Sequence, residues 1–300
     1  MAQEKEIDSE KNAMSFSLAE ISMQILAAIR EGRFARSLAL IAGFSGWMTA
    51  AEVMLEHYRG SFGQKVMYSP IVCGCLLGVI GCWSFFDISV AHTVLPIASL
   101  LLILDGLIGF FFHIRGIARK PGGWVKNILT NILMGPPLFA PLLLGLGGVL
   151  GLVASQLLPE SSPQALSPDT LNILRQCLAL AAAGSVFLNG LEALNAHYKS
   201  RFSSRSQWIP VLLAPLLFFV SVRAFFFPNE SRTTLLIFSS LAIFAGIVGT
   251  LFHVNGILKR PGNFDNFFYK VIYGPPPFAP LLFAASGFLG ILAAQVGAPV

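Results

Sequence analysis

Shifted by 140 residues, as from Glu52 to Glu192, one half of this 300-residue chain lands on the other. The residues that coincide are polar as well as apolar. Glu52, His57, Tyr58 and Phe62 meet Glu192, His197, Tyr198 and Phe202, while His113, Gly116, Pro121 and Gly122 meet His253, Gly256, Pro261 and Gly262. After a one-residue slip, Gly135-Pro136-Pro137 and Phe139-Ala140-Pro141-Leu142 meet Gly274-Pro275-Pro276 and Phe278-Ala279-Pro280-Leu281. A duplicated chain builds one unit twice, so any fold proposed for one half has to serve the other.

Hydropathy says what the unit is. Residues are 55% hydrophobic and 12% charged, against the roughly 25% charged of a soluble domain. Several apolar runs approach the ~20 residues that cross a bilayer core. They are continuously apolar rather than alternating, which excludes a β-barrel and predicts an all-α, polytopic membrane protein. Eight transmembrane helices are expected, at about 38–57, 70–88, 94–114, 137–157, 178–196, 210–227, 235–254 and 277–296. Membrane repeat 1 covers 38–158 and repeat 2 covers 177–300, joined by a linker over 159–176 that is rich in Ser and Pro at 159–169. Four spans return the chain to its starting side. The two tandem four-helix repeats should therefore insert in parallel, related by an axis along the membrane normal.

Residues 1–37 form a tail with an amphipathic helix. Ser17 and Glu20 make a capping box, Phe16 and Ile21 a hydrophobic staple, and Gly32 a stop. Leu18, Ile21, Ile25 and Ile29 fall on one stripe. The helix is too short to span, so it lies in the interface, docks on a partner or packs back on its own bundle. The first dozen residues are charged and mostly acidic, the reverse of a cleavable signal.

The net charge of +5 does not imply nucleic acid, because the basic residues sit in short loops where membrane topology explains them. Connections after spans 1, 3, 5 and 7 carry Arg59, Lys65, Arg115, Arg119, Lys120, Lys126, Lys199, Arg201, Arg205, Lys259, Arg260 and Lys270. Those after spans 2, 4 and 6 carry Arg175, Arg223 and Arg232. The first set is expected to be cytoplasmic, in a plasma or inner membrane, although Lys5, Lys11, Arg30, Arg33 and Arg36 before span 1 weigh the other way. Cys73, Cys75, Cys82 and Cys177 are expected to serve as small apolar residues.

Span 1 sets Ser45, Thr49, Glu52 and Glu56 on one stripe, and span 5 repeats it with Ser185, Asn189 and Glu192. Lipid would penalise that face, so it points into the bundle. His113 and His253 end spans 3 and 7 on the same side as His57 and His197. Each half thus offers one carboxylate and two imidazoles, a donor set that suits a metal ion, or through the imidazoles a haem. Glu52, His57, His113, Glu192, His197 and His253 are the metal candidates. Against them, Glu and His at i, i+5 diverge around a helix, and the Glu-x-x-His of di-iron bundles is missing. The alternatives are a proton relay, or Glu52 paired with Arg115 or Lys120 while the histidines face the headgroups. Asp105, mid-span and matched by Ala245, is a separate proton or ion candidate.

Gly116 and Gly256 suit helix C-caps, and Pro121-Gly122 and Pro261-Gly262 suit type II turns. The Gly-Pro-Pro runs are expected to begin spans 4 and 8, with Pro141 and Pro280 bending them, and Gly148, Gly151, Gly287 and Gly290 to allow close helix contact. No Walker A loop, glycine-rich nucleotide motif, Cys-x-x-Cys or His-Glu-x-x-His occurs. The chain is therefore not expected to be an enzyme by itself, although a membrane enzyme using the Glu–His cluster stays open. Partners are the lipid bilayer and other membrane proteins. The expected role is a membrane subunit or scaffold of a larger complex, in electron transfer or energy conversion. The alternative is a small secondary transporter or channel with its ion pathway between the repeats.

Overall fold

The computed structural model describes residues 18–31, 34–157, 166–262 and 266–298, and among them all regular structure is helical. Helix α1 (Leu18–Arg30) precedes the first half, which is built from α2 (Ala35–Arg59), α3 (Ser69–Phe86), α5 (Leu95–Ala118) and α7 (Ala140–Leu157). The short α4 (Ile88–Thr93) and α6 (Ile128–Leu133) lie between them. The second half contains α8 (Pro168–Lys199), α9 (Trp208–Phe226), α10 (Pro228–Leu258), the short α11 (Phe267–Ile272) and α12 (Ala279–Gln295). Six of these, α2, α3, α5, α8, α9 and α10, are long and apolar enough to cross a membrane. Helices α7 and α12 are apolar but shorter. The protein is an integral membrane protein by this architecture.

Each half is a ring of four helices. In the first, α2 packs on α3 and α7, and α5 closes the ring against both; in the second, α8 packs on α9 and α12, and α10 closes it. Helices α2 and α8 are the most enclosed, with 44% of their apolar windows buried against 22% for α3, α9 and α10. Phe44, Trp83, Phe111, Phe219, Phe244 and similar side chains point outward, as a lipid-facing surface requires. The rings close through small residues. A Cβ on Gly46 would lie 2.7 Å from the Gly74 carbonyl, one on Gly148 2.5 Å from that of Ser99, and one on Gly287 2.5 Å from that of Ser239. Gly151 and Gly290 press on the Ser99 and Ser239 hydroxyls, so the expected close contact of α7 and α12 is present.

Several expectations are corrected. Helix α8 starts at Pro168, inside the expected linker, because Ser167 caps the Thr170 N–H (3.2 Å) and proline suits the first turn. Gly116 and Gly256 do not end their helices, which run on to Ala118 and Leu258; they give room to Pro136 and Pro275. Gly122 and Gly262 do take the positive φ expected of their turns. The Gly-Pro-Pro runs precede α7 and α12 rather than starting them. Proline disfavours helix in the residue before it and has no N–H, so helices begin only at Ala140 and Ala279. Pro141 and Pro280 fall in the first turn, where they pack on Gly109 and Gly249 instead of bending the helix. In α1, Ile29 is buried where the Gly297 N–H donates to the Arg30 carbonyl (2.9 Å), whereas Ile25 is exposed. The capping box, the staple and Gly32 fall outside the described residues.

Candidate functional site

Helix α7 has 18 residues and α12 has 17, or about 26 Å at ~1.5 Å per residue, short of the ~30 Å hydrocarbon core. Before each, irregular backbone follows a six-residue helix. Irregular backbone enclosed among apolar helices needs partners for its polar groups. The polar residues kept in both halves supply them here.

Glu52 on α2 accepts a hydrogen bond from the Phe278 N–H (2.9 Å), at the start of α12. Its counterpart Glu192 on α8 accepts from the Phe139 N–H (2.6 Å), at the start of α7, and also faces the Ala140 N–H. Each glutamate therefore caps the broken helix of the opposite half. A carboxylate at a helix N-terminus completes free N–H groups and meets the positive end of the dipole. Seven residues further along, Arg59 donates to the carbonyls of Ile272 and Gly274 (2.9 Å to the latter), and Lys199 to that of Gly135 (3.4 Å). These contacts cross between halves as well. Arg59 is held by Glu56 at 2.5 Å.

The histidines serve their own half. His113 donates Nδ1–H to the Pro137 carbonyl (2.5 Å) and His253 to that of Pro276 (2.6 Å). Carbonyl oxygen only accepts, so Nδ1 carries the proton in both. His57 donates likewise to the Met67 carbonyl (2.7 Å), fixing the turn after α2. That turn holds Ser61 and Phe62 at positive φ, as Arg201 and Phe202 are held after α8. Phe62 stacks on Tyr68 and Phe202 on Trp208, which accounts for the paired phenylalanines.

The expected Glu–His–His sets are not brought together. Helices α2 and α5 are diagonal in their ring, as α8 and α10 are in theirs, and Glu52 and Glu192 turn to the opposite half. The two histidines of each half do lie within electrostatic reach of each other. Among the described residues, however, no three His, Cys, Asp or Glu side chains are placed to hold one metal ion. Arg115 is exposed and does not fill the diagonal. Asp105 is buried beside the Ser69 hydroxyl and within reach of His57. In the second ring Asn189 bonds Ser286 (2.9 Å) and the Leu282 carbonyl (3.1 Å), tying α8 to α12. Sequence reasoning missed Arg59 and Lys199 as partners of this backbone, having counted them as topological charges; their equivalence under the shift was the available signal.

Compared with protein-family models, characterised proteins and solved structures, the chain matches none.

Proposed function

We propose that the chain crosses the membrane eight times as two tandem, parallel four-helix repeats, and that it serves as a packed membrane subunit or scaffold of a larger complex. One observation carries this. The repeated polar residues are spent on closing breaks in the chain's own backbone, and four of them do so across the two halves. Such a body is preassembled and apolar around its perimeter, suited to hold partners rather than to turn over substrate. The six ligand candidates fit a metal or haem poorly in this arrangement, since each carboxylate is turned away from its histidines.

Transport along the seam between the repeats is the second reading. It is favoured by the broken helices, a feature of transporter binding sites, and by Glu52 Oε1, which is buried without a hydrogen-bond partner among the described residues. Extraction in mild detergent and native electrophoresis separate the two. Co-migration with other membrane proteins supports the subunit. A lone chain that exchanges protons or cations in liposomes, and loses this with Glu52→Gln, overturns it in favour of transport.

A further inference from the structure

Arginines distant in sequence meet at the other end of the second ring, on the side where the loops are poor in basic residues. Arg175 on α8 donates to the Asn229 side chain on the first turn of α10 (3.0 Å), and also to Asn172 (2.9 Å). Arg223 near the end of α9 donates to the Ser231 hydroxyl (2.8 Å), and Arg232 to Gln295 at the end of α12 (3.3 Å). The carbonyl of Arg30 receives the Gly297 N–H, which sets the end of α1 beside the same corner. Asn229, Ser231 and Arg232 share one stretch of α10, so the four arginines rim a single bundle end.

The side-chain partners of Arg175, Arg223 and Arg232 are neutral amides and hydroxyls, which orient a guanidinium without cancelling its charge. The Nε–H groups of Arg30, Arg175 and Arg232 are buried and have no acceptor among the described residues. Asp169 and Glu230, in the first turns of α8 and α10, are exposed and form no ion pair with these arginines among the described residues. Buried guanidinium donors without an acceptor are costly unless an anion supplies one.

The fold does not require this cluster. In the first ring the same corner is built with Ala35, Trp83 and His92 in place of Arg175, Arg223 and Arg232. Level fits the chemistry too. Helices α8 and α10 have 32 and 31 residues, so at ~1.5 Å per residue each exceeds the ~30 Å core by about 16 Å. Arg232 is the fifth residue of α10 and Arg175 the eighth of α8, about 6 and 10 Å from the helix starts at ~1.5 Å per residue, so both fit within that excess, at the level of the headgroup layer. Planar, forked donors in that layer match phosphate oxygens.

We propose that Arg175, Arg223 and Arg232, with Arg30 beside them, form a phosphate-binding site at the α8–α10 end of the second half. The phosphate belongs either to an anionic phospholipid or to a soluble phosphate compound. The inference is independent of the subunit reading, since it concerns the opposite membrane face and needs no partner protein.

Binding to the purified full-length protein is measured by native mass spectrometry and thermal unfolding in neutral detergent. The probes are phosphatidylglycerol, phosphatidylcholine and inorganic phosphate. Phosphatidylglycerol bound in preference to phosphatidylcholine, and weakened roughly ten- to a hundredfold in R175Q/R232Q, identifies a lipid site. A phosphate-dependent rise in unfolding temperature that the same variant abolishes identifies a soluble ligand. R223Q, which alters an exposed arginine with one hydroxyl partner, gives the same comparison if the double variant does not fold. K259Q/R260Q, on the opposite face, should bind as the unaltered protein does. If phosphate does not bind and phosphatidylglycerol binds no better than phosphatidylcholine, or if the arginine variants bind as tightly as the unaltered protein, the site does not exist.

Discussion

Glu52 and Glu192 show how a residue can be picked out by a repeat while its role stays hidden. Their partners are the N–H groups of Phe278 and Phe139, and a backbone donor leaves no mark in the sequence. The spacing to His57 and His197 was visible; that the carboxylates turn to the other half was not, because span pairing between repeats is not written in either repeat alone. Leaving a buried N–H unpaired costs about 1–3 kcal/mol. Glu52→Ala and Glu192→Ala are each expected to lower stability by that amount, whereas Glu192→Gln, which keeps an acceptor oxygen, recovers most of it. Denaturant unfolding in mild detergent measures both. His113→Ala and His253→Ala leave the Pro137 and Pro276 carbonyls unpaired, a loss of about 1 kcal/mol. A metal or haem role predicts something else: loss of bound metal or of a visible absorption band in these variants, read by elemental analysis and spectroscopy.

Among the elements, the long apolar helices were readable from hydropathy because one residue type dominates over a whole span. Their ends were less so. Helix α8 begins ten residues before the apolar run at Leu178, since a Ser-Pro-Asp start suffices to nucleate helix outside the membrane. Helices α4, α6 and α11 have six residues each, under two turns, and carry too little pattern to detect. The glycine contacts were anticipated at Gly148 and Gly287, where small residues recur at helical spacing. Substitution there tests them. Gly148→Ala and Gly287→Ala would set a methyl 2.5 Å from a backbone oxygen that cannot move aside, so α5 and α7, or α10 and α12, must separate. A loss of about 1–3 kcal/mol is expected from such overpacking. Gly184→Ala is the control. A Cβ there meets nothing within 4 Å, and alanine favours helix over glycine by up to ~1 kcal/mol, so that variant should be as stable as the parent or more so.

At the scale of the molecule, the cross-half contacts account for the coincidence under the 140-residue shift of Glu52 with Glu192, and of the cation Arg59 with Lys199. A contact between the halves made twice, with α2 serving the loop before α12 and α8 serving the loop before α7, constrains both copies together. An apolar position facing lipid needs only to remain apolar. The arrangement also makes the halves one cooperative unit although α7 and α8 join them in sequence through a short connection. Removing one carboxylate leaves the opposite clasp to hold the seam, with Arg59 or Lys199 still bonded beside it. Removing both frees the starts of α7 and α12 together. Glu52→Ala/Glu192→Ala should therefore lose more stability than the single variants combined, the non-additivity expected of residues that support one interface. Its unfolding in detergent, followed by calorimetry, should change from one transition to two, each belonging to one four-helix ring. A double variant that still unfolds in a single step, with the two losses simply adding, would mean that the glutamates cap their helices locally and that other contacts hold the halves together.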